Sequence, residues 1–201
     1  MKIGPKYKIA RRLGAPIFEK TQTQKFALSE SKKTRKFVKR RKQITDYGLR
    51  LKEKQKGRYS YALSEKVFGR LVRDAMKQKS KHTPDALFES LEERLDSVVT
   101  RSGFGPTRFF CRQLISHGHI LVNDRRVNIP SYKVKKGDVI KVKPKSLQKG
   151  LFNNEENSPT TSVSWLNVDS TKKTITMKGT PVKDEVDLFF NIDSVLEFYS
   201  R

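Results

Sequence analysis

Arg108 and Arg112 stand four residues apart. A turn bearing Arg125 and Arg126 follows, with Lys133, Lys135 and Lys136 just beyond it. Guanidinium groups fork onto phosphate oxygens and ammonium groups act as point charges, so these side chains suit a phosphate-rich partner better than bond-making chemistry. On a helix, an i,i+4 pair projects from one face. Arg108 and Arg112 should therefore point away from Cys111, Leu114 and Ile115, which should face a core. His117 and His119 have no nearby cysteine or carboxylate partner and would make a poor metal site. Contact with a polyanion or turn packing is expected of them. Cys111 reads as a buried, inert thiol. No Gly-rich phosphate loop is present, and Gly103 and Gly105 read as a turn between helices.

The elements that must hold these groups can be read from periodicity. YGLRLKEKQKGRYSY suggests a basic helix ending near Gly57, and Ser64 looks like the N-cap of a second. Thr83-Pro84 starts a third, whose apolar face is Leu87, Phe88, Leu91, Leu95, Val98 and Val99. Thr107 caps the arginine-bearing helix, which ends at Gly118. Ile120–Val122 and Arg125–Val127 read as a hairpin across Asn123-Asp124, and Val139–Val142 as a further strand. SVSWLNVD and KKTITMKG form a last hairpin, and Ser194 caps a terminal helix. The fold class is α+β: a basic N-terminal arm, a helical domain, and an inserted module of helices with a small, mainly antiparallel sheet.

Bulk charge agrees with the local pattern. Among 201 residues, 44 are Lys or Arg and 21 are Asp or Glu, a net charge of +23. Such an imbalance implies a polyanion, nucleic acid before an anionic membrane surface. Residues 1–82 hold 26 basic and 6 acidic residues, whereas residues 151–201 hold 5 and 8. KKTRKFVKRRK, which includes Lys36, Lys39, Arg40 and Arg41, is nearly continuous positive charge. Such a run cannot bury enough apolar surface to order itself, and is expected to order on phosphate. No apolar run approaches the ~20 residues of a membrane span, and the N-terminus lacks the apolar stretch of a signal peptide. One cysteine excludes an internal disulfide and a multi-cysteine zinc site. Cytosol or an organelle interior is the expected home. No base-stacking aromatic platform is evident, so phosphate, sugar and shape should dominate recognition of a folded RNA.

Several motifs now converge. LEERLDSVV, GFGPTRFFCRQLISHGHILVN, GDVIKV, the terminal EFYSR and the start GPKYKIARRLG closely resemble the bacterial-type S4 (uS4) family of small-subunit ribosomal proteins, over nearly the whole chain. The resemblance implies a basic arm over 1–45, a helical domain over 46–90 completed by 185–201, and an RNA-binding module over 91–184. It also implies a place in the small (30S) subunit, binding of 16S ribosomal RNA at a multi-helix junction of its 5′ domain, a role in assembly and translational accuracy, and S5 and the mRNA entry region as neighbours. Carried over residue by residue, the RNA contacts are Arg108, Arg112, His117, His119, Asn123, Arg125, Arg126, Ser131 and Lys133, beside Lys36, Lys39, Arg40 and Arg41. No cofactor is expected.

Two departures stand out. Many relatives carry an N-terminal cysteine cluster that binds zinc. Here Lys6-Tyr7-Lys8-Ile9-Ala10-Arg11-Arg12 has no thiol, so no metal is expected. The usual hairpin tip is Asn-Gly, but here it is Asn123-Asp124. This leaves the turn type open and adds a negative charge amid the RNA contacts. The same RNA-binding module occurs in RNA-modification enzymes, and Arg94-Leu95-Asp96 echoes the Arg-Leu-Asp of pseudouridine synthases. Asp96 lies before the module, within an amphipathic helix, and no catalytic-domain length follows. A charged face residue or helix partner is the expected role.

Overall fold

A computed structural model of the chain describes residues 3–36, 44–78, 80–147, 163–169 and 171–200. Its helices are α1 (Lys6–Leu13), α2 (Gln24–Lys36), α3 (Asp46–Ser60), α4 (Glu65–Lys77), α5 (Thr83–Glu92), α6 (Leu95–Arg101), α7 (Arg108–Ser116), the one-turn α8 (Pro144–Leu147) and α9 (Ile192–Tyr199). Its strands are β1 (Ile120–Val122), β2 (Arg125–Arg126), β3 (Val139–Val142), β4 (Leu166–Asp169) and β5 (Thr174–Met177). The chain divides into two units, Met1–Lys79 with Leu188–Arg201, and Ser80–Asp187. Among the described residues, no helix is long and apolar enough to cross a membrane.

In the first unit the basic N-terminal sequence folds. Ala10 from α1, Phe18 from the following turn and Phe26 from α2 close a small core, joined by Ile3, Ile9 and Tyr59. The expectation that KKTRKFVKRRK lacks order of its own is corrected for residues 32–36, which continue the helix anchored at Phe26. Lys36 ends that helix, while Lys39, Arg40 and Arg41 lie outside the described residues.

α3 does not stop near Gly57. It runs on to Ser60, and Gly57 gives room where a Cβ would stand 3.0 Å from the Phe190 ring and 3.1 Å from Phe68. α4 starts as its sequence dictates, with Ser64 Oγ accepting from Val67 N at 3.4 Å. The cap of α9 lies three residues before the expected one: Asn191 Oδ1 accepts from Ser194 N at 3.0 Å. Its end is held by Lys54, whose ammonium donates to Glu65 at 2.8 Å and lies 4.4 Å from the Phe198 ring centre.

The second unit begins at Ser80 and takes in α5, ahead of the boundary expected at residue 90. Leu87, Phe88 and Leu91 are buried, and Phe88 meets Trp165 edge-on at 6.2 Å. The single long helix expected over 84–99 is two helices. Arg94 is extended (φ −70°, ψ 138°) and bridges to Lys133. Leu95 N donates to Tyr132 O at 2.9 Å, Asp96 N to Pro130 O at 3.1 Å, and Val134 N to Glu93 O at 2.8 Å. The segment 130–134 thus satisfies N–H groups that a helix start leaves without partners. Its position is fixed by residues nearly forty places later, beyond the reach of local periodicity.

The sheet has the order β2-β1-β3-β5-β4, antiparallel throughout. Ile120 and Val122, Ile140 and Val142, and Ile175 and Met177 alternate into the core at period two, and Leu95, Val98, Val99 and Ile115 of α6 and α7 are buried as well.

Candidate nucleic-acid interface

α7 is placed by its cap, Thr107 Oγ1 accepting from Phe110 N at 3.2 Å, and by Gly118, which leaves the helix at φ +72°. Its apolar side behaves as expected: Cys111, Leu114 and Ile115 are buried. Its other side is only partly open: Ser116 is exposed, but Arg108 is buried and Arg112 half-buried. α6 packs there, and the expectation that Arg108 and Arg112 project freely together is corrected. Arg108 is 9% exposed and donates from Nη1 to Ser97 Oγ at 2.8 Å. Arg112 donates to Asp96 Oδ2 from Nε at 3.0 Å and from Nη2 at 2.5 Å. Arg94 takes the same carboxylate through two bonds, at 3.0 and 2.9 Å.

Asp96 is therefore a buried hub, 1% exposed, rather than a charged face residue. Burial pushes its carboxyl up, but the Arg94 hydrogen bonds and the charges of Arg94, Arg112 and Arg108 outweigh it and hold the group below its ordinary value. The arrangement fixes guanidinium groups in place. It also disposes of a catalytic reading of Arg94-Leu95-Asp96, since the carboxylate is sealed and already engaged by two cations.

A second group gathers at the β1–β2 hairpin. Asn123 and Asp124 both have positive φ, 50° and 63°, the signature of a type I′ turn, which Asn and Asp tolerate among non-glycine residues. The turn is tied down from its far side. Asn123 Nδ2 donates to Asp138 Oδ1 at 2.8 Å, and its Oδ1 accepts from Val139 N at 3.0 Å. The charge of Asp124 meets Lys141 at 3.0 Å. So both ends of the Asn123 amide serve the fold, and the extra acid at the tip is paired by a neighbouring strand.

Arg125 and Arg126 are exposed beside this tip, and no carboxylate among the described residues pairs with either. Arg126 Nη2 donates to His117 O at 3.4 Å, and the rings of exposed His117 and part-buried His119 lie 6.1 Å apart. His119 Nδ1 sits 2.9 Å from Ser146 Oγ. Ser131 and Lys133 lie elsewhere, on the segment paired with the start of α6, where Lys133 meets Glu93 at 2.9 Å. The structure thus places Asn123, Arg125 and Arg126 on the β1–β2 hairpin, with Arg126 reaching back to His117 at the end of α7 and His119 at the opposite end of β1 from the tip. Arg108 and Arg112 gather around Asp96 and Ser97, with Ser131 and Lys133 nearby in the fold. Sequence reasoning missed Arg94, Ser97 and Lys141 as positioning groups. The signal available was an Arg-x-Asp set directly between the apolar positions Leu91, Leu95, Val98 and Val99.

Gly118 offers a local test. A Cβ there would overlap the Arg126 guanidinium and sit on a left-handed backbone. Gly118→Ala is expected to cost about 1 kcal/mol through the backbone and to displace Arg126. A melting curve shifted down by a few degrees would agree, and an unchanged one would not.

The N-terminal segment that carries the zinc ligands in many relatives does not fit a metal here. Residues 6–13 form α1, with Ala10 and Leu13 buried, and the one cysteine of the chain is buried in α7. Among the described residues, no three His, Cys, Asp or Glu side chains are grouped to hold a metal.

A family model described as the ribosomal protein S4/S9 N-terminal domain matches residues 1–92, and one described as the S4 domain matches residues 93–140. The small ribosomal subunit protein uS4 of Chloroflexus aurantiacus is 39% identical over 203 residues, covering 99% of this chain and 98% of the relative. That of Chromobacterium violaceum is 41% identical over 208 residues, and that of Petrotoga mobilis 38% over 215, with the same shares covered. With an α+β fold and relatives matched over 98% of their own length, the chain belongs to the uS4 family of small ribosomal subunit proteins.

Proposed function

We propose that this protein is a structural constituent of the small ribosomal subunit, working in the cytoplasm and not as an enzyme, and that it binds 16S ribosomal RNA directly. The site is a multi-helix junction of the 5′ domain, bound early enough to nucleate subunit assembly. S5 and the mRNA entry region are its neighbours, and through them it contributes to translational accuracy. We assign the RNA-binding module to residues 91–184, the helical domain to 46–90 with 185–201, and the basic arm to 1–45.

One observation carries the reading. Arg125 and Arg126 stand exposed on a turn locked to a five-stranded sheet, in a chain of net charge +23. A rigid perch for guanidiniums that no carboxylate among the described residues engages recognises a phosphate backbone by position. His117, Ser131 and Lys133, all exposed, extend the contact surface, and Lys36, Lys39, Arg40 and Arg41 of the basic N-terminal run are further RNA contacts in this reading. Arg112 and His119 contribute from partly buried positions, Asn123 from the exposed tip that it also ties to Asp138, and Arg108 by holding the scaffold. The test is sequencing of RNA crosslinked to the purified protein. One dominant region of 16S RNA is expected. A spread of tRNA or precursor sites would favour an RNA-modification enzyme and overturn the proposal.

A further inference from the structure

In the first unit, Tyr7, Arg11, Thr23, Lys25, Phe26 and Ser29 line a cleft of about 360 Å³ between α1 and α2. We propose that this cleft holds one unstacked nucleotide of the bound RNA, its base on Tyr7 and its phosphate at Arg11 and Lys25. The inference rests on the RNA-binding reading above and adds a site to it.

The inventory is that of a nucleotide pocket. Tyr7 is 47% exposed, and its ring lies 5.6 Å from the buried Phe26 ring, which backs it. Base–aromatic stacking needs such a free π-face, and every base can use it. The Arg11 guanidinium lies 5.3 Å from the centre of Phe26 and donates from Nη2 to Ser29 Oγ at 3.2 Å. Its Nε–H is sealed from solvent and has no acceptor among the described residues. Lys25 is exposed, and no carboxylate among the described residues lines the cleft. The hydroxyls of Thr23 and Ser29 are suited to ribose or a base edge.

The volume lies near the lower end of the range for small-ligand pockets, ~300–1,000 Å³, which suits one nucleotide. A base paired within a duplex could not enter, so the ligand is a single-stranded or bulged residue. An acidic peptide would use the two cations but leave the exposed face of Tyr7 idle. The sequence hid this platform because Tyr7 and Phe26 lie on different helices and meet only in the fold.

The experiment is ultraviolet crosslinking of the full-length protein to a transcript of the 16S 5′ domain, with mass spectrometry of the adduct, alongside filter binding of variants. A nucleotide adduct on the peptide containing Tyr7 is expected. Tyr7→Ala should bind about tenfold more weakly and Tyr7→Phe near the wild-type level. Lys25→Ala, at an exposed position, should lower the salt slope by about 1. Absence of the adduct from bound wild-type protein overturns the nucleotide site. So does wild-type affinity in Tyr7→Ala, which would point to a peptide ligand and leave 16S binding standing. Failure of the wild-type protein to bind the transcript overturns both readings. Should Tyr7→Ala lose its fold, the wild-type adduct and Lys25→Ala decide.

Discussion

Asp96→Ala will destabilise the second unit by about 3–5 kcal/mol, the usual result of removing one partner from a buried ion pair. Asp96 is 1% exposed, while the Arg94 and Arg112 side chains it joins are only 10% and 22% exposed. Alanine would leave two largely buried guanidiniums without their acceptor, next to Arg108, whose charge already bears on the same carboxylate. Urea denaturation is the measurement: a large fall in the midpoint is expected, and a change under ~1 kcal/mol would show that the hub is unimportant.

The pH dependence follows from the same geometry. Asp96 has a folded-state pKa below its ordinary value of 3.8. Its contribution is therefore complete above that ordinary value, at neutral pH included, and is lost only as pH falls through the lowered folded pKa. Asp96→Ala should accordingly narrow the stability gap to the native protein only under acid. For the same reason Arg108→Ala with Arg112→Ala is not a clean test of RNA contact, because both side chains support the fold.

The second large effect is electrostatic. If the protein neutralises ~6–10 phosphates, its affinity for 16S RNA will drop about 10³–10⁵-fold between 50 and 200 mM salt. Arg125→Ala with Arg126→Ala should lower the magnitude of the slope of log affinity against log salt by about 2. Neither is buried and neither pairs with a carboxylate among the described residues, so the melting temperature should hold. Filter binding across a salt series reads the slope. A slope unchanged in the double variant would remove the hairpin from the interface.

Much of the second unit was legible in sequence because its signals are local. Thr107 and Gly118 mark the ends of α7, Asn123-Asp124 marks the hairpin tip, and the alternation in Val139–Val142 gives a strand with one buried face. The turn type at Asn123-Asp124 became plain only with Asp138 and Val139 in place, since those groups hold the Asn123 amide.

What escaped the sequence depends on distant partners. The break between α5 and α6 is made by the segment 130–134, and no signal within residues 84–99 encodes it. The inward turn of Arg108 and Arg112 follows from α6 covering that side of α7. Helical spacing says which residues share a face, but not what that face meets. The order of the N-terminal sequence rests on Ala10, Phe18 and Phe26, too widely spaced to form a periodic stripe.

Site-directed hydroxyl-radical cleavage tests the central claim most directly. Cys111, the one cysteine of the chain, is buried, so an iron chelate placed at Asn128→Cys, exposed beside β2, reports on the hairpin alone. A second chelate at Asp193→Cys, on the exposed side of α9, serves as control. With 16S RNA bound, the hairpin probe should cut one compact set of nucleotides in the 5′ domain, distinct from any cut by the control. Cleavage scattered along the RNA, or alike for both probes, would contradict a fixed cationic turn docked on a folded RNA backbone.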